Sequence, residues 1–598
     1  MLRQVLANFV KFWQYSPFLI SIIFSTNLLA ATTTSTTNSL NEHSSPYLAM
    51  HGSDPVNWQL WDANILKQAK LQNKLIFISS GYFSCHWCHV MQKENYKNAA
   101  TANYLNQHFI NVKIDRELNP ELDKTLIEFA QKSTGQAGWP QHVILTPDGY
   151  PFVAFIYLPN TSFNQTLKRI TTLWQTQSKQ ITLLARKDID KDAENKSKNS
   201  PTAQLTLTTP KLRQQLFRQL KQSKDDLSGG LKSTTKFPET PLLKSLLLIK
   251  QLPEDIEEWL ELTLQQMQTE HLFDHINGGF YRYTIDPNWQ TPHFEKMLYD
   301  NAQLAEVYLL AGQRWDNKRY ITTAMETLHY MQQHLYDNNN GLYRGSQSAI
   351  DKNALEGGDY LWDKAKLEQA LTPLEFKLIH QVWSLDQAPP YELGWHPRPI
   401  EPNDAWQKIR TKLLTKPSQI PTDSKNLLGW NGLMLSALSR AAHATKDTHY
   451  QNKAEQLAIR LSTLIQLNQP PRAISDNNQY LGEANLQDYA FIRQGLMDYQ
   501  TLLNNTAFSK TIEYIDNKLQ TAFYGTQGWK YDATPILPQQ TGDWVMDDGP
   551  IPSPAALVSC LKPESLAVKQ ALLHAQALNF SSYLQTLNCI QSKPNFVE

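Results

Sequence analysis

The feature that most restricts this chain is the tetrapeptide Cys85-His86-Trp87-Cys88, which closely follows a short apolar run. Lys74-Leu75-Ile76-Phe77-Ile78-Ser79-Ser80 reads as a buried strand. Gly81-Tyr82-Phe83-Ser84 comes next, and a helix is predicted to begin at or just before the first cysteine. Thr101 to Phe109 has a helical pattern, and Phe109-Ile110-Asn111-Val112-Lys113-Ile114-Asp115 that of a second strand. Residues 120–132 read as another helix. Gln141 to Thr146 and Phe152 to Tyr157 form a hairpin around Pro147-Asp148-Gly149, and a helix near 163–177 completes the set.

The order strand, helix, strand, helix, strand, strand, helix describes a thioredoxin-like α/β domain over residues 38–185. In such a domain the cysteine pair is a redox centre. A thiolate is the attacking species, so the first cysteine needs a depressed pKa, which a helix N-terminus favours. Cys85 is assigned as nucleophile and Cys88, one helical turn on, as the resolving thiol. His86 is expected to add positive charge beside Cys85, and Trp87 to shield one face. Trp139-Pro140, just before the hairpin, is expected to be cis and to face the centre. Two rivals use the same residues. Cys85-His86-Trp87-Cys88-His89 also satisfies the attachment pattern of c-type haem, but it sits inside a strand–helix alternation. The same side chains could bind zinc, but adjacent ligands on one turn would crowd a tetrahedral site. The preferred reading needs no cofactor and no metal.

At 598 residues the chain is too long for one ordinary core. Lys+Arg and Asp+Glu both number 56, so no net charge draws it to nucleic acid or acidic membranes. Residues 1–31 hold Arg3 and Lys11, an apolar run from Pro17 and small residues at Ala30-Ala31, the pattern of a secretory signal peptide. The expected location is periplasmic or secreted, with membrane association only if that segment is uncleaved. Export would permit disulfides, and Cys560 and Cys589 form a further possible pair.

Residues 186–204 are charged and nearly free of large apolar side chains, and are read as a linker. Beyond it helical periodicity dominates. A glycine or aromatic loop followed by an amphipathic helix recurs, as at Gly229-Gly230, Gly278-Gly279-Phe280, Gly341-Leu342-Tyr343 and Trp430-Asn431-Gly432. About six such units in roughly 400 residues predict an (α/α)6 six-hairpin barrel over 205–598, with its loops gathered at one mouth. The expected fold class is therefore multidomain, α/β followed by all-α.

Several strings resemble the thioredoxin-domain family named after spermatogenesis-associated protein 20. They are Gly81 to Met91, Ser45-Pro46-Tyr47-Leu48, Asp115-Arg116-Glu117, Gly138-Trp139-Pro140, Pro292-His293-Phe294-Glu295-Lys296-Met297-Leu298-Tyr299-Asp300, Trp430-Asn431-Gly432-Leu433, Asp488-Tyr489-Ala490 and Asp548-Gly549. The resemblance implies a thioredoxin-like domain joined to a barrel similar to those of N-acylglucosamine 2-epimerases and six-hairpin glycosidases. This chain departs from the family at Ser346-Gln347-Ser348-Ala349-Ile350-Asp351, where two carboxylates are expected, and at Ser553-Pro554-Ala555. The pocket candidates are His293, Glu295, Asp300, Trp430, Asn431 and Asp488. Glu295 and Asp300, five apart on one presumed helix, would point apart, which favours Glu295 with Asp488 as a carboxylate pair. Trp430 and Asn431 suggest a sugar-stacking ring and its hydrogen-bonding neighbour, or barrel core. The function expected is a thiol–disulfide oxidoreductase whose barrel holds a protein thiol or disulfide client or a carbohydrate. The alternative is a carbohydrate-binding or carbohydrate-modifying protein with a structural thioredoxin-like domain.

Overall fold

Strand β1 (Leu75–Gly81) and strand β2 (Phe109–Asp115) are buried at every position, as a continuous apolar run covered on both faces requires. They pair in parallel, with Ser79 opposite Lys113. Strand β3 (Gln141–Leu145) runs antiparallel to β1 on its other side, and β4 (Pro151–Phe155) closes the sheet in the order β2-β1-β3-β4. Around it lie α1 (Pro46–Met50), α2 (Ala63–Gln72), α3 (His86–Met91), α4 (Ala99–His108), α5 (Pro120–Thr134) and α6 (Asn160–Ser197). This is the thioredoxin-like domain expected from the strand and helix order. The computed structural model describes residues 37–197, 205–414, 420–533, 537, 540 and 542–591. The N-terminal segment expected to be a signal peptide lies outside them.

Helix α6 continues past a non-helical residue at Gln177 to Ser197, so much of the segment expected to be a linker is helical. Its lysines, acids and alanine are adequate helix formers; a lack of apolar side chains argued only against burial. Residues 198–204 lie outside the described residues.

The second domain alternates two kinds of helix. In α10 (Leu298–Arg314) and α15 (Leu428–Thr445) buried positions run almost without a break. Such helices are enclosed on all sides. In α11 (Lys318–His334) the buried positions fall at Tyr320, Thr323, Ala324, Thr327, Leu328, Tyr330 and Met331, the stripe of an outer helix widened by Tyr330. The inner helices α8 (Thr240–Leu247), α10, α15, α17 (Leu486–Leu502), α19 (Pro554–Val558) and α21 (Tyr583–Gln591) pack in succession. Ser245 on α8 donates to the carbonyl of Ser581 just before α21, closing the ring. The outer helices are α7 (Thr209–Ser223), α9 (Glu254–Thr269), α11, α16 (Thr448–Ile465), α18 (Ser509–Ala522) and α20 (Glu564–Ala575). Six hairpins thus form the expected barrel. Between α11 and α15 a small helical insertion, α12 (Lys364–Ala370), α13 (Pro373–Val382) and α14 (Asn403–Leu413), carries its own tryptophan-rich core of Trp362, Trp383, Trp395 and Trp406.

Two asparagines fix the start of inner helices in the same way. Asn301 accepts from the Phe280 N–H and donates to the carbonyls of Phe280 and Met297. Asn431 accepts from the Tyr343 N–H and donates to the carbonyls of Tyr343 and Leu427. The glycine or aromatic loop of each repeat is pinned to its helix by this clamp, which explains the recurrence read in the sequence. Gly432 answers to a different need. A Cβ there would lie 2.5 Å from the backbone carbon of Phe491, so α15 and α17 touch backbone to backbone.

The thioredoxin-like domain rests on the barrel face that carries the short strands. Its docking centres on Lys425, whose ammonium lies 2.8 Å from Asp115, 3.1 Å from Glu117 and 2.8 Å from Asp423, all of them buried. Ser45 Oγ adds a 2.6 Å bond to Asp115. Arg472, on the first strand (Pro471–Ile474) of the hairpin that precedes α17, donates to the Glu117 carbonyl at 2.8 Å and to Asp488 at 2.7 Å. Burial opposes the Lys425 charge, but the three carboxyl groups outweigh it and hold its pKa well above the ordinary value. Burial pushes Glu117 up to about 8, with Lys425 opposing.

Two outcomes follow from this cluster. Lys425→Met strands buried carboxylates and is expected to cost about 3–5 kcal/mol, read by urea unfolding. The second is a pH dependence. Between the ordinary carboxyl range and about 8 the folded protein keeps the Glu117 proton that the unfolded chain has lost. This contribution to stability is complete at low pH, falls through that window by at most about 1.4 kcal/mol per pH unit, and then levels off. Glu117→Gln is expected to flatten the decline between pH 5.5 and 8.5; an unchanged slope would place the proton elsewhere.

Candidate functional site: the cysteine pair beneath the barrel mouth

Cys85 is the N-cap of α3, and its Sγ accepts the Cys88 N–H at 3.2 Å. Cys85 and Cys88 form a disulfide with their Cα atoms 5.3 Å apart. In this oxidised form neither sulfur is available as a haem thioether or a zinc ligand. Cys560 is also disulfide-bonded; the Cys589 side chain lies outside the described residues. The Trp139–Pro140 peptide is cis, as its position before the hairpin suggested.

The residues beside the disulfide meet the barrel. Cys85 is 4% exposed and Cys88 1%. Ser84, just before the pair, shares a 2.9 Å hydrogen bond with Ser346 and lies 3.5 Å from the Met297 sulfur, and its carbonyl accepts from the Ala349 N–H. His86 Nε2 is 3.6 Å from Glu356, and its ring meets His293 edge-on. Trp87 departs from the expected shielding role: its indole lies on Tyr157 and is 46% exposed. His86 also departs from expectation. Burial draws its imidazole below the ordinary value, which Glu356 only partly offsets, so the positive charge predicted beside Cys85 is opposed.

A buried polar cluster joins the two domains at this point. Tyr82 donates to Glu295 at 3.0 Å and receives a hydrogen bond from Arg282. Arg282 lies 3.3 Å from Glu295, and His293 Nδ1 lies 3.2 Å from the same oxygen. From the thioredoxin-like side, Arg116 covers the Trp139 ring at 3.9 Å and donates to Asp123 at 3.2 Å; Asp123 also accepts from Trp139 at 3.0 Å and Ser80 at 2.6 Å. Arg116 Nη1, Arg282 Nε, Glu295 Oε2, Tyr299 Oη and Asp300 Oδ2 are buried without a hydrogen-bond partner in the protein.

The two carboxyl groups of this cluster are shifted in opposite senses. Burial would raise Glu295, but Arg282, with help from His293 and Tyr82, outweighs it and keeps the group below the usual range. Burial drives Asp300 well above the usual range, and Arg282 only partly opposes it. Burial and the Arg282 guanidinium thus push the two groups in opposite directions, Glu295 toward the carboxylate and Asp300 toward the carboxylic acid.

This arrangement corrects three expectations. Glu295 and Asp300 are not on one helix: α10 begins at Leu298, and Glu295 precedes strand β5 (Lys296–Met297). Both carboxyls consequently meet around Arg282. Asp488 is elsewhere. It closes a capping box with Asn485, accepts from the Gly429 N–H at 2.9 Å and pairs with Arg472, so the preferred Glu295–Asp488 pair does not form. Asn431 is fully buried and makes three hydrogen bonds to backbone groups, so it is placed as a clamp and not at a sugar surface. Trp430 is buried, its ring edge-on to Tyr299 at 4.7 Å, in the core role weighed for it. The departures from the family pattern also find structural places. Ser346 and Gln347 form a strand, β6, pairing with β5, and Ser346 holds Ser84. Ser553 caps α19 and donates its N–H to Asp548.

The sequence reading missed a second group along the barrel axis. A cavity there is lined by Lys244, Gln303, Glu306, Ser436 and Gln494, among others. Glu306 is 2.6 Å from Lys244 and 3.0 Å from Arg440. The available signal was an acid in a helix otherwise buried on all faces. Among the described residues no cluster of three or more His, Cys, Asp or Glu is arranged to hold a metal, and no helix is long and apolar enough to cross a membrane.

Comparison with known proteins agrees with the motif reading. Residues 37–191 match the family model Thioredox_DsbH, described as a protein of unknown function, DUF255. The chain is 28% identical to an uncharacterized Caenorhabditis elegans protein over 82% of its own length and 75% of the relative's. It is 29% identical to spermatogenesis-associated protein 20 of Homo sapiens over 83% and 71%. Identity to the Rattus norvegicus protein of that name is 34%, over 56% of this chain and 45% of the other. Among solved structures, a family 76 glycoside hydrolase from a Bacteroides thetaiotaomicron strain aligns with TM-score 0.32 and 11% identity over 57% of each chain. A D-mannose isomerase aligns with TM-score 0.39 and 12% identity over 64% of this chain and 83% of that one. Cellobiose 2-epimerase from Spirochaeta thermophila gives 0.35 and 15% over 64% and 84%. At these scores the structural likeness adds nothing to the chemistry of the site. The chain is similar to spermatogenesis-associated protein 20 over most of its length, and has a thioredoxin-like domain followed by a helical barrel.

The opposite shifts of Glu295 and Asp300 predict opposite tolerances. Asp300→Asn replaces a neutral acid by a neutral amide and is expected to change stability by less than about 1 kcal/mol. Glu295→Gln leaves Arg282 without its carboxylate and is expected to cost about 3 kcal/mol or more. Thermal unfolding of both variants checks this, and equal losses would mean that Asp300 is ionised.

Proposed function

We propose that this protein is a thiol–disulfide oxidoreductase whose redox pair works inside a closed interdomain site. The observation that carries the reading is the Cys85–Cys88 disulfide at the start of α3, with the Cys88 N–H already directed at Cys85 Sγ. That N–H and the helix end stabilise a thiolate on Cys85 once the disulfide opens. Attack by a substrate thiolate on Cys85 forms a mixed disulfide and releases Cys88 as thiolate. A second substrate thiolate, or Cys88 itself, then resolves it. With both sulfurs buried, the substrate is a small thiol or disulfide, or a client segment admitted when the two domains part. The basic start and apolar run of residues 1–31 support export to a compartment where such chemistry proceeds.

A second reading is favoured by one observation, the two carboxyl groups of Glu295 and Asp300 in a single buried cluster, which Arg282 and burial push in opposite directions. A base and an acid kept apart in this way suit proton transfer on a carbohydrate in the barrel mouth. It calls for saturable sugar binding by the intact protein that is lost in Glu295→Gln, and no binding across a broad sugar panel would remove it.

The oxidoreductase reading is tested by titrating the pair in glutathione buffers, read by alkylation mass shift. A reversible two-electron transition between about −270 and about −120 mV is expected, with disulfide exchange abolished in Cys85→Ser. A pair that stays oxidised throughout would sink the proposal.

A further inference from the structure

Strand β1 ends beneath the disulfide at Gly81. A Cβ on Gly81 would lie 2.3 Å from Tyr47 Oη and 2.7 Å from Cys88 Sγ, so the phenol and the resolving sulfur are neighbours across a bare glycine. Tyr47 belongs to the Ser45-Pro46-Tyr47 turn that opens α1, and Ser45 ties that turn to Asp115 of the interdomain cluster. The Tyr47 side chain is fully buried, and its hydroxyl has no hydrogen-bond partner in the protein.

We propose that the Tyr47 hydroxyl is the hydrogen-bond donor to the Cys88 thiolate that appears when the disulfide opens. The proposal rests on the oxidoreductase reading and names a further group of the same site. A disulfide sulfur is a weak acceptor, so in the oxidised form the buried hydroxyl lacks a good partner; a thiolate is a strong one. Burial, reinforced by Tyr96, Asp115, Asp54 and Asp123, keeps the phenol protonated and therefore a donor. Lys113 faces the Tyr47 ring at 5.2 Å, and burial brings its own pKa down to about 7. His51 meets the ring edge-on at 5.2 Å and, drawn by burial to about 3, is neutral. In the resolving step the Cys88 thiolate attacks Cys85 Sγ of the mixed disulfide. The Cys85–Cys88 bond forms, the bond from Cys85 to the substrate sulfur breaks, and its electron pair leaves on the substrate thiolate. Tyr47 keeps its proton throughout.

The test measures the ionisation of Cys88 in the reduced full-length protein carrying Cys85→Ser, by thiolate absorbance near 240 nm from pH 5 to 9. Tyr47→Phe removes one atom that bonds to nothing else in the protein, and its fold is checked by circular dichroism. The variant is expected to raise the Cys88 midpoint by about one pH unit, a tenfold loss of thiolate at neutral pH. Incorporating 3-fluorotyrosine at position 47, a stronger donor, is expected to lower the midpoint. A Cys88 midpoint unmoved by both changes overturns the proposal, even where the glutathione titration of the unmodified protein shows a reversible transition. Failure of that titration overturns the oxidoreductase reading instead.

Discussion

One lysine ammonium surrounded by three carboxyl groups decides how the two domains meet. Lys425 lies on the barrel side, between β7 (Thr422–Asp423) and β8 (Asn426–Leu427), and reaches Asp115 and Glu117 at the end of β2. Moving four ionisable groups out of water is costly, and their mutual attraction repays it only when the geometry is close. The contact therefore fixes one docked arrangement and disfavours slipped ones. Because β1 and β2 pair residue by residue, holding the end of β2 also holds the end of β1, and with it the turn that leads to Cys85. The burial of the disulfide, the placing of Ser84 on Ser346 and the meeting of Tyr82 with Glu295 all depend on that one clamp.

Within this frame two kinds of chemistry share a wall. The disulfide occupies the thioredoxin-like side, and Tyr82 carries a direct hydrogen bond from that side to Glu295 on the barrel side. Arg116 and Arg282 both stand over the rings of Tyr82 and Trp139, one from each domain. A change in the position of the cysteine loop is therefore felt at Arg282, the group that keeps Glu295 ionised. Tyr82 and Arg282 thus form one continuous contact between the cysteine loop and Glu295.

What could be read from the sequence followed the range of the forces involved. Strand β2 was legible at both ends, and the hairpin nearly so, because alternation, turn residues and apolar runs are local signals. The helical repeat was legible because Gly278-Gly279-Phe280 and Gly341-Leu342-Tyr343 recur before similar helices. Asn431 was misread because its partners, the N–H and carbonyl of Tyr343, lie far off in sequence. Glu295 and Asp300 were misplaced because a two-residue strand has no periodicity to betray it, so the helix was extended backwards through β5. Asp115-Arg116-Glu117 stood out as a motif, but its role required Lys425, and no local pattern announces a partner several hundred residues away. The protonation states were not legible at all, since they arise from burial in the assembled interface.

The distance in sequence between Cys85 and Lys425 has a temporal meaning as well. The ribosome delivers the cysteines with the first domain, which can fold once β4 and the start of α6 have emerged. The barrel residues that cover the pair come several hundred residues later. At about 5–20 residues per second the pair spends tens of seconds uncovered on the nascent chain. During that interval the cysteine loop lacks the barrel residues Ser346 and Ala349 that later hold Ser84. The thioredoxin-like half therefore meets its surroundings before the barrel half exists to cover it.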